Sequence, residues 1–404
     1  MSDHRSTAEN STAGQRLWWI LALTGGGMAL AAIFHFLLCG RLLELPYPWN
    51  TFLFNPEVRF SDFTNHLNAA MSLAPYRPEA KETVFLPFAY GVFFLFGQLG
   101  RWAFPVFATL GSTGFIAFAA AVLPKHRWAA LPMLLFCYPA WMAFDRGNID
   151  LLNFAFLAFG IYAFDRDRPL TGALLLAFPI AVKLSPAVFL AVPLAKRRYG
   201  AAAIAAGVAV ALNLAMLPML RHSVPEALAG WRAQLAIFET NFIYGNSAFL
   251  YNCSMFGVFK AALRPFLSPG AIKTVYWFFA VGLGAALLAA AMRLKPPTTF
   301  ATSTLAAAIF ILCPNFSMDY RLLTLYVPIL FWIRDGSGGK DVSFALLLAT
   351  AVIPKNYWFF GNSWVGIGTA INPLVLLALA TAVIVQCRTA PRAKFHAGGP
   401  NSIT

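Results

Sequence analysis

Residues 17–39 read LWWILALTGGGMALAAIFHFLLC, an apolar run of 23 residues without Asp, Glu, Lys or Arg. A transmembrane helix needs about 20 such residues. The run is too long for a signal-peptide core and no small-residue cleavage site follows it, so it reads as an uncleaved first span with the N-terminus inside. Further apolar runs cover 84–99, 102–123, 129–144, 150–164, 170–194, 201–220, 271–292, 298–313, 322–333, 342–353 and 364–386. Over 404 residues 59% are hydrophobic and 11% charged, against about 25% charged in a soluble domain. That little charge cannot coat a soluble protein of this size. A β-barrel is excluded as well, because barrels alternate apolar and polar residues over short strands. The sequence therefore predicts an all-α polytopic transmembrane bundle of about 11–12 membrane segments.

Around the spans, residues 1–16 read as a disordered cytoplasmic tail, 17–386 as the membrane domain, and 387–404 as a second cytoplasmic tail. The net charge of +14 does not point to nucleic acid. The basic residues sit in short clusters at run ends, such as Lys196-Arg197-Arg198, which is how cytoplasmic loops are anchored. The clusters at 196–198, Arg293/Lys295, Arg334/Lys340 and Arg388/Arg392/Lys394 all belong inside. That puts 221–269, 314–321 and 354–363 outside and both termini in the cytoplasm. A long first external loop, 40–83, carries several prolines and a short helix predicted over Asp62–Ser72. Lys125/Arg127 and Arg166/Arg168 both prefer the inside, so Asp145-Arg146-Gly147-Asn148 forms the outer apex of a hairpin. One of the runs 84–99 and 102–123 is then short or half-inserted. Lys183-Leu184-Ser185-Pro186 interrupts the run 170–194, which fits two half-helices meeting inside the membrane. The five cysteines are scattered, with no CxxC, and read as small buried hydrophobes.

Ionisable groups in or beside spans are costly, so each is a candidate for function. Asp62 lies among aromatics, where desolvation raises a carboxylate's pKa and makes it a usable base; the alternative is a helix N-cap. Arg146 suits a phosphate because its planar fork binds oxygens bidentately. Lys183 either snorkels to an interface or faces a polar pocket. Asn246 and Ser247, in Gly245-Asn246-Ser247, are hydroxyl-binding groups or loop filler. Asp319 and Arg321 either pair with each other or serve a site. Lys355-Asn356-Tyr357-Trp358 reads as an interfacial aromatic anchor. No HExxH, GxSxG, P-loop or GxGxxG motif occurs. One carboxylate, several cations and a set of hydroxyl binders on one side fit transfer of a sugar from a lipid phosphate. The cations would stabilise the leaving phosphate and the acid would deprotonate an acceptor hydroxyl.

The run Arg146-Gly147-Asn148-Ile149-Asp150-Leu151, then Lys183-Leu184-Ser185-Pro186 and Lys196-Arg197-Arg198-Tyr199, resembles the RGQxN…KLTP…RRR pattern of family 87 glycosyltransferases. Those are bacterial, GT-C-fold enzymes that depend on polyprenyl-phosphate sugars and are related to the mannosyltransferases of phosphatidylinositol mannoside synthesis. Gly245-Asn246-Ser247 resembles the family's GNQS stretch, and Ser317–Pro328 its SW-x-HH-L…LLP segment. The resemblance implies a GT-C-like fold over roughly 60–330, Asp62 as catalytic base, and Arg146, Lys183 and Arg321 on the donor phosphate. It also places Asn148, Asn246, Ser247, Tyr320 and His66 on sugar or acceptor. Two departures stand out. The first loop has one Asp rather than DxD, so neither Mg nor Mn nor any other cofactor is expected. Tyr320-Arg321 replace two histidines of actinobacterial members, which leaves mannose the first guess and another hexose the second. The implied partners are a polyprenyl-phosphate-linked sugar, a lipid or glycan acceptor and membrane lipids, with no nucleic acid, and the implied place is a bacterial inner membrane with the site on the periplasmic face. A transporter or flippase that moves the lipid-linked sugar intact is the alternative.

Overall fold

The long apolar runs favour helix: they are rich in Ala, Leu and Phe, and a backbone in lipid must satisfy its own hydrogen bonds. The computed structural model describes residues 2–56, 58–76, 84–220, 223–244, 252–295, 297–335, 341–357, 359–360 and 365–389. Among them are seventeen α-helices and one small antiparallel ribbon, Phe359–Phe360 against Val365–Gly366. The fold is all-α. Its first helix, α1 (Ser2–Ala32), widens into π-helical turns over Ile33–Leu42. The polar segment 2–16, which the sequence alone sets down as disordered, is helical here; Ala8, Glu9, Ala13 and Gln15 are helix formers and no proline breaks them.

Among the described residues five helices are long and apolar enough to cross a bilayer: Thr12–Leu42, Gly100–Val122, Tyr199–Met216, Pro269–Arg293 and Gly368–Arg388. Five more apolar helices are shorter, from Pro87–Gly97 to Val342–Val352. Apolar side chains on the long helices face outward, with Leu30 and Val210 59% exposed and Phe278 66%. A surface so apolar suits lipid, not water.

After α1 come α2 (Ser61–Met71), α3 (Pro87–Gly97) and α4 (Ala103–Val122). The 11 residues of α3 extend about 16 Å, half of a bilayer's hydrocarbon core. It packs on α2, whose Phe63 ring lies 5.8 Å from Phe93 and 6.2 Å from Phe96. The run 84–99 is therefore the short one, and α4 is the full-length helix. It starts beside α2, with Phe104 4.1 Å from Phe60, and leads to Trp128, 5.7 Å from Trp18.

Beyond that point α5 (Ala130–Leu135) and α6 (Tyr138–Arg146) reach an apex, and α7 (Asp150–Asp165) returns. Then α8 (Pro169–Val182) climbs back to Lys183, whose backbone is extended, and a 3₁₀ turn Ser185–Leu190 with α9 (Ala191–Ala195) descends again. Pro186 forces this break: it has no N–H to donate to the Val182 carbonyl, and its ring would clash there if α8 ran on. The run 170–194 is a pair of half-helices, as its sequence suggests.

The remaining helices are α10 (Tyr199–Met216), α11 (Val224–Phe238), α12 (Met255–Leu263), α13 (Pro269–Arg293), α14 (Thr299–Leu312), α15 (Tyr326–Asp335), α16 (Asp341–Val352) and α17 (Gly368–Thr389). Every residue of α14 from Ala301 to Leu312 is buried, which makes it the central helix. One end of the bundle gathers charge. Lys196 donates to the Phe164 carbonyl and to Thr299 at 3.2 and 3.1 Å, Thr299 donates to Asp165, Arg334 pairs with Asp165 at 2.8 Å, and Arg16 donates to the Ile333 carbonyl. The Trp18–Trp128 contact brings Lys125 and Arg127 to this same basic end. The Lys355 segment is not an exposed anchor. Lys355 and Asn356 are buried, and the Lys355 ammonium caps carbonyls left open at the end of α16, donating to Thr350, Ala351 and Ile353.

Candidate active site

At the end of the bundle opposite the basic cluster, α2 is laid directly on the α6–α7 apex. Gly147 ends α6 in the left-handed region at φ 64°, and a Cβ there would come within 2.5 Å of the Phe63 Cβ. The Phe60 N–H donates to the Asp145 carbonyl at 2.6 Å. Together these contacts bring Asp62 against Asn148, whose side-chain amide donates to Asp62 Oδ2 at 2.6 Å. The N-cap of α2 is Phe60 and no side chain caps it, so Asp62 is not a capping residue.

Asn148 Oδ1 accepts twice, from the Asp150 N–H at 3.0 Å, which starts α7, and from the Lys183 ammonium at 3.3 Å. Lys183 also pairs with Asp150 at 2.8 Å, and Asn153 donates to the same oxygen. The break after α8 is what carries Lys183 to this point, so it faces a polar site and does not snorkel. Its ammonium sits over the rings of Phe85 and Tyr320, 4.8 and 5.7 Å from their centroids.

These groups open onto a cavity of about 670 Å³ lined by Asp62, His66, Arg146, Asn148, Lys183, Tyr320 and Arg321. Trp231, Leu235 and Phe238 of α11 form a facing wall. A second cavity of about 400 Å³, almost wholly apolar, runs between α8, α10 and α11 and shares Leu86, Leu184 and Trp231 with the first. Asp319 and Arg321 do not pair. The turn sends Arg321 toward the cavity, while Asp319 accepts from Tyr138 at 2.8 Å and from Asn372 at 3.2 Å in the core.

Burial pushes the Asp62 carboxyl above the usual carboxylate range; the Asn148 hydrogen bond and the charges of Arg146 and Lys183 pull the other way without cancelling it. Asp62 is half-buried and lines the cavity. His66 is held down to about 3 by burial and by Lys183, so it is neutral. Among the described residues no three His, Cys, Asp or Glu side chains converge as a metal group.

A family model described as glycosyltransferase family 87 matches residues 83–314. The chain belongs to glycosyltransferase family 87. Among proteins with curated descriptions none matches it. As a family 87 member it is a glycosyltransferase, and so takes a sugar donor and an acceptor. The family match takes in Arg146, Asn148, Asp150 and Lys183. Asp62, His66, Tyr320 and Arg321 lie outside it, so geometry alone joins them to that core.

Seven of the nine sequence-predicted site residues line one cavity. Asn246 and Ser247 fall outside the described residues. Asp150 is the participant that sequence reading left without a role, though it stands in the quoted run. A signal was present: a carboxylate at the first turn of an apolar helix needs a cation, and Lys183, read only as a phosphate ligand, supplies it. Trp231 carried no signal, because an aromatic on α11 looks like any other lipid-facing residue.

Proposed function

We propose that this family 87 enzyme moves a hexose, mannose first, from a polyprenyl-phosphate donor to a hydroxyl of a lipid or glycan acceptor, with Asp62 as general base. One observation carries the reading: a carboxylate with raised proton affinity shares a cavity with three cations, and an apolar cavity lies beside it with Leu184 and Trp231 in both linings. The apolar cavity suits an isoprenoid tail and the cations suit its phosphate. Charge supports the same donor. Arg146, Lys183 and Arg321 against Asp62 and Asp150 leave one net positive charge. A sugar phosphodiester of a lipid carries one negative charge, whereas a nucleotide diphosphate sugar carries two.

In the step we propose, the acceptor oxygen attacks the anomeric carbon as Asp62 takes its proton. The carbon–oxygen bond to phosphate breaks, and Arg146, Lys183 and Arg321 stabilise the charge that develops there. Asn148 orients the carboxylate of Asp62, and Asp150 holds Lys183. Among the described residues Asp150 is held by Lys183 and Glu239 by Lys273, which leaves Asp62 as the carboxylate open to the cavity and favours inversion of the anomeric centre. His66 and Tyr320 border the space left for the sugar. No metal is required: cations already occupy the neighbourhood of Asp62, and a divalent ion there would be repelled. The basic end bears the residues that favour cytoplasm, which supports cytoplasmic termini and a cavity on the periplasmic face of a bacterial inner membrane.

The test is transfer from synthetic polyprenyl-phosphate mannose and glucose by purified protein in detergent, with nucleotide sugars as controls. The reading expects polyprenyl phosphate and a glycosylated acceptor from a lipid donor. Direct use of a nucleotide sugar would sink it.

A further inference from the structure

The cavity's charge is not fixed during the reaction just proposed. Before transfer it carries Arg146, Lys183 and Arg321 against Asp62 and Asp150, a net single positive charge, and the bound phosphodiester carries one negative charge. During transfer the acceptor hydroxyl loses its proton to Asp62, the new carbon–oxygen bond forms, and the electron pair of the broken bond stays on the phosphate. The lipid phosphate becomes a dianion while the cavity rises to two positive charges. The sum is zero before and after. How the Lys183–Asp150 pair shares its proton does not alter the count.

We propose that Asp62 thereby controls product release as well: while it keeps the acceptor's proton it retains the lipid phosphate product, and loss of that proton to solvent lets the product go. This rests on Asp62 being the base. The geometry gives the proton a way out. Asp62 is half-buried and lines the cavity, whereas Lys183 and Asp150 are only 9% and 6% exposed. Once Asp62 is ionised again, the cavity returns to one positive charge facing a dianion, and the product is bound less firmly than while Asp62 held the proton.

Several elements bring charged and titratable groups to face Asp62. Arg146 comes from α6, Asn148 and Asp150 from the start of α7, Lys183 from the break after α8, and Tyr320 and Arg321 from the turn after α14. On its own helix His66 is already neutral, held at about 3. One layer out, Asp145 is balanced by Arg59 and Arg146, and Glu239 by Lys273 at 2.6 Å.

The experiment measures binding of two probes to the purified protein between pH 6.5 and 8.5: a polyprenyl monophosphate and its methyl diester. A phosphate monoester's second ionisation lies near pH 6, so the monophosphate is largely a dianion across this range. For wild-type protein its affinity should fall with rising pH by up to about tenfold per pH unit, the slope for uptake of one proton. The diester's affinity should fall less steeply, since a monoanion gains about half as much from the added charge. Asp62→Asn should bind the monophosphate without that fall, and more tightly than wild type at pH 8.5, while its diester binding reports an intact cavity. A wild-type monophosphate affinity that falls no more than the diester's overturns the proposal, as does an equal fall in Asp62→Asn. If Asp62→Asn binds neither probe, the wild-type pair alone decides. The base assignment is tested separately: an Asp62→Asn protein that still transfers sugar defeats that reading, whatever the binding curves do.

Discussion

Replacing Lys183 by Met separates two roles that one side chain performs. Lys183 and Asp150 are paired at 2.8 Å with 9% and 6% of their side chains exposed, and Asp150 Oδ2 has no hydrogen-bond partner of its own. Removing the ammonium leaves a buried carboxylate short of its counter-charge, which costs about 3–5 kcal/mol of stability. Adding Asp150→Asn removes that charge too, and should return most of the loss. Activity should behave differently. A charge-assisted contact to a leaving phosphate in a dry site is worth about 2–4 kcal/mol at the transition state, or about 30- to 1000-fold in rate. Lys183→Met should lose that much kcat/KM, and the double variant should not recover it, even though its cavity is back to one net positive charge. Thermal unfolding in detergent reads the first effect, and transfer per folded protein the second. A double variant within about threefold of wild-type activity would refute the phosphate role, and a single variant as stable as wild type would refute the ion-pair reasoning.

The general base must be ionised to act, so kcat/KM should be retained at high pH and lost as pH falls through the Asp62 pKa. Because burial raises that pKa, the acid limb of a pH–rate profile should lie above the ordinary carboxylate value of about 4. Gly147→Ala adds strain at φ 64° and a Cβ that meets Phe63, costing about 1–3 kcal/mol; activity should fall at least as far as stability, since α2 carries Asp62 away from Asn148. Transfer should persist in excess EDTA, and a loss restored by magnesium or manganese would replace the cation model with a metal bridging Asp62 and donor.

Long runs made the fold legible. Their length decided the membrane helices, their charge clusters agreed with one basic end, and Pro186 marked the break in 170–194. Short helices were harder to place, because α3 is as apolar as a spanning helix and only its packing on α2 distinguishes it. For the site, Arg146, Asn148 and Lys183 stood out as polar groups in apolar sequence. What no spacing could give was partnership. The bonds Asn148–Asp62, Lys183–Asp150 and Tyr138–Asp319 join residues 86, 33 and 181 positions apart. Hence Asp319 and Arg321, neighbours in sequence, looked like a pair while packing turned them to different sides. Lys355 misled for a related reason: beside aromatics it resembles an interfacial residue, yet the open carbonyls of α16 draw it inside.

The central claim is that this chain breaks a glycosidic bond to a lipid phosphate using Asp62. It is tested most directly by reconstituting wild-type and Asp62→Asn proteins in liposomes with polyprenyl-phosphate mannose labelled in the sugar, then measuring label on the acceptor alongside free polyprenyl phosphate. The account predicts equal amounts of both products with wild type and almost none with Asp62→Asn, whose fold is retained because the change is nearly isosteric. Label that crosses the bilayer still attached to its lipid, at the same rate with either protein, would contradict it.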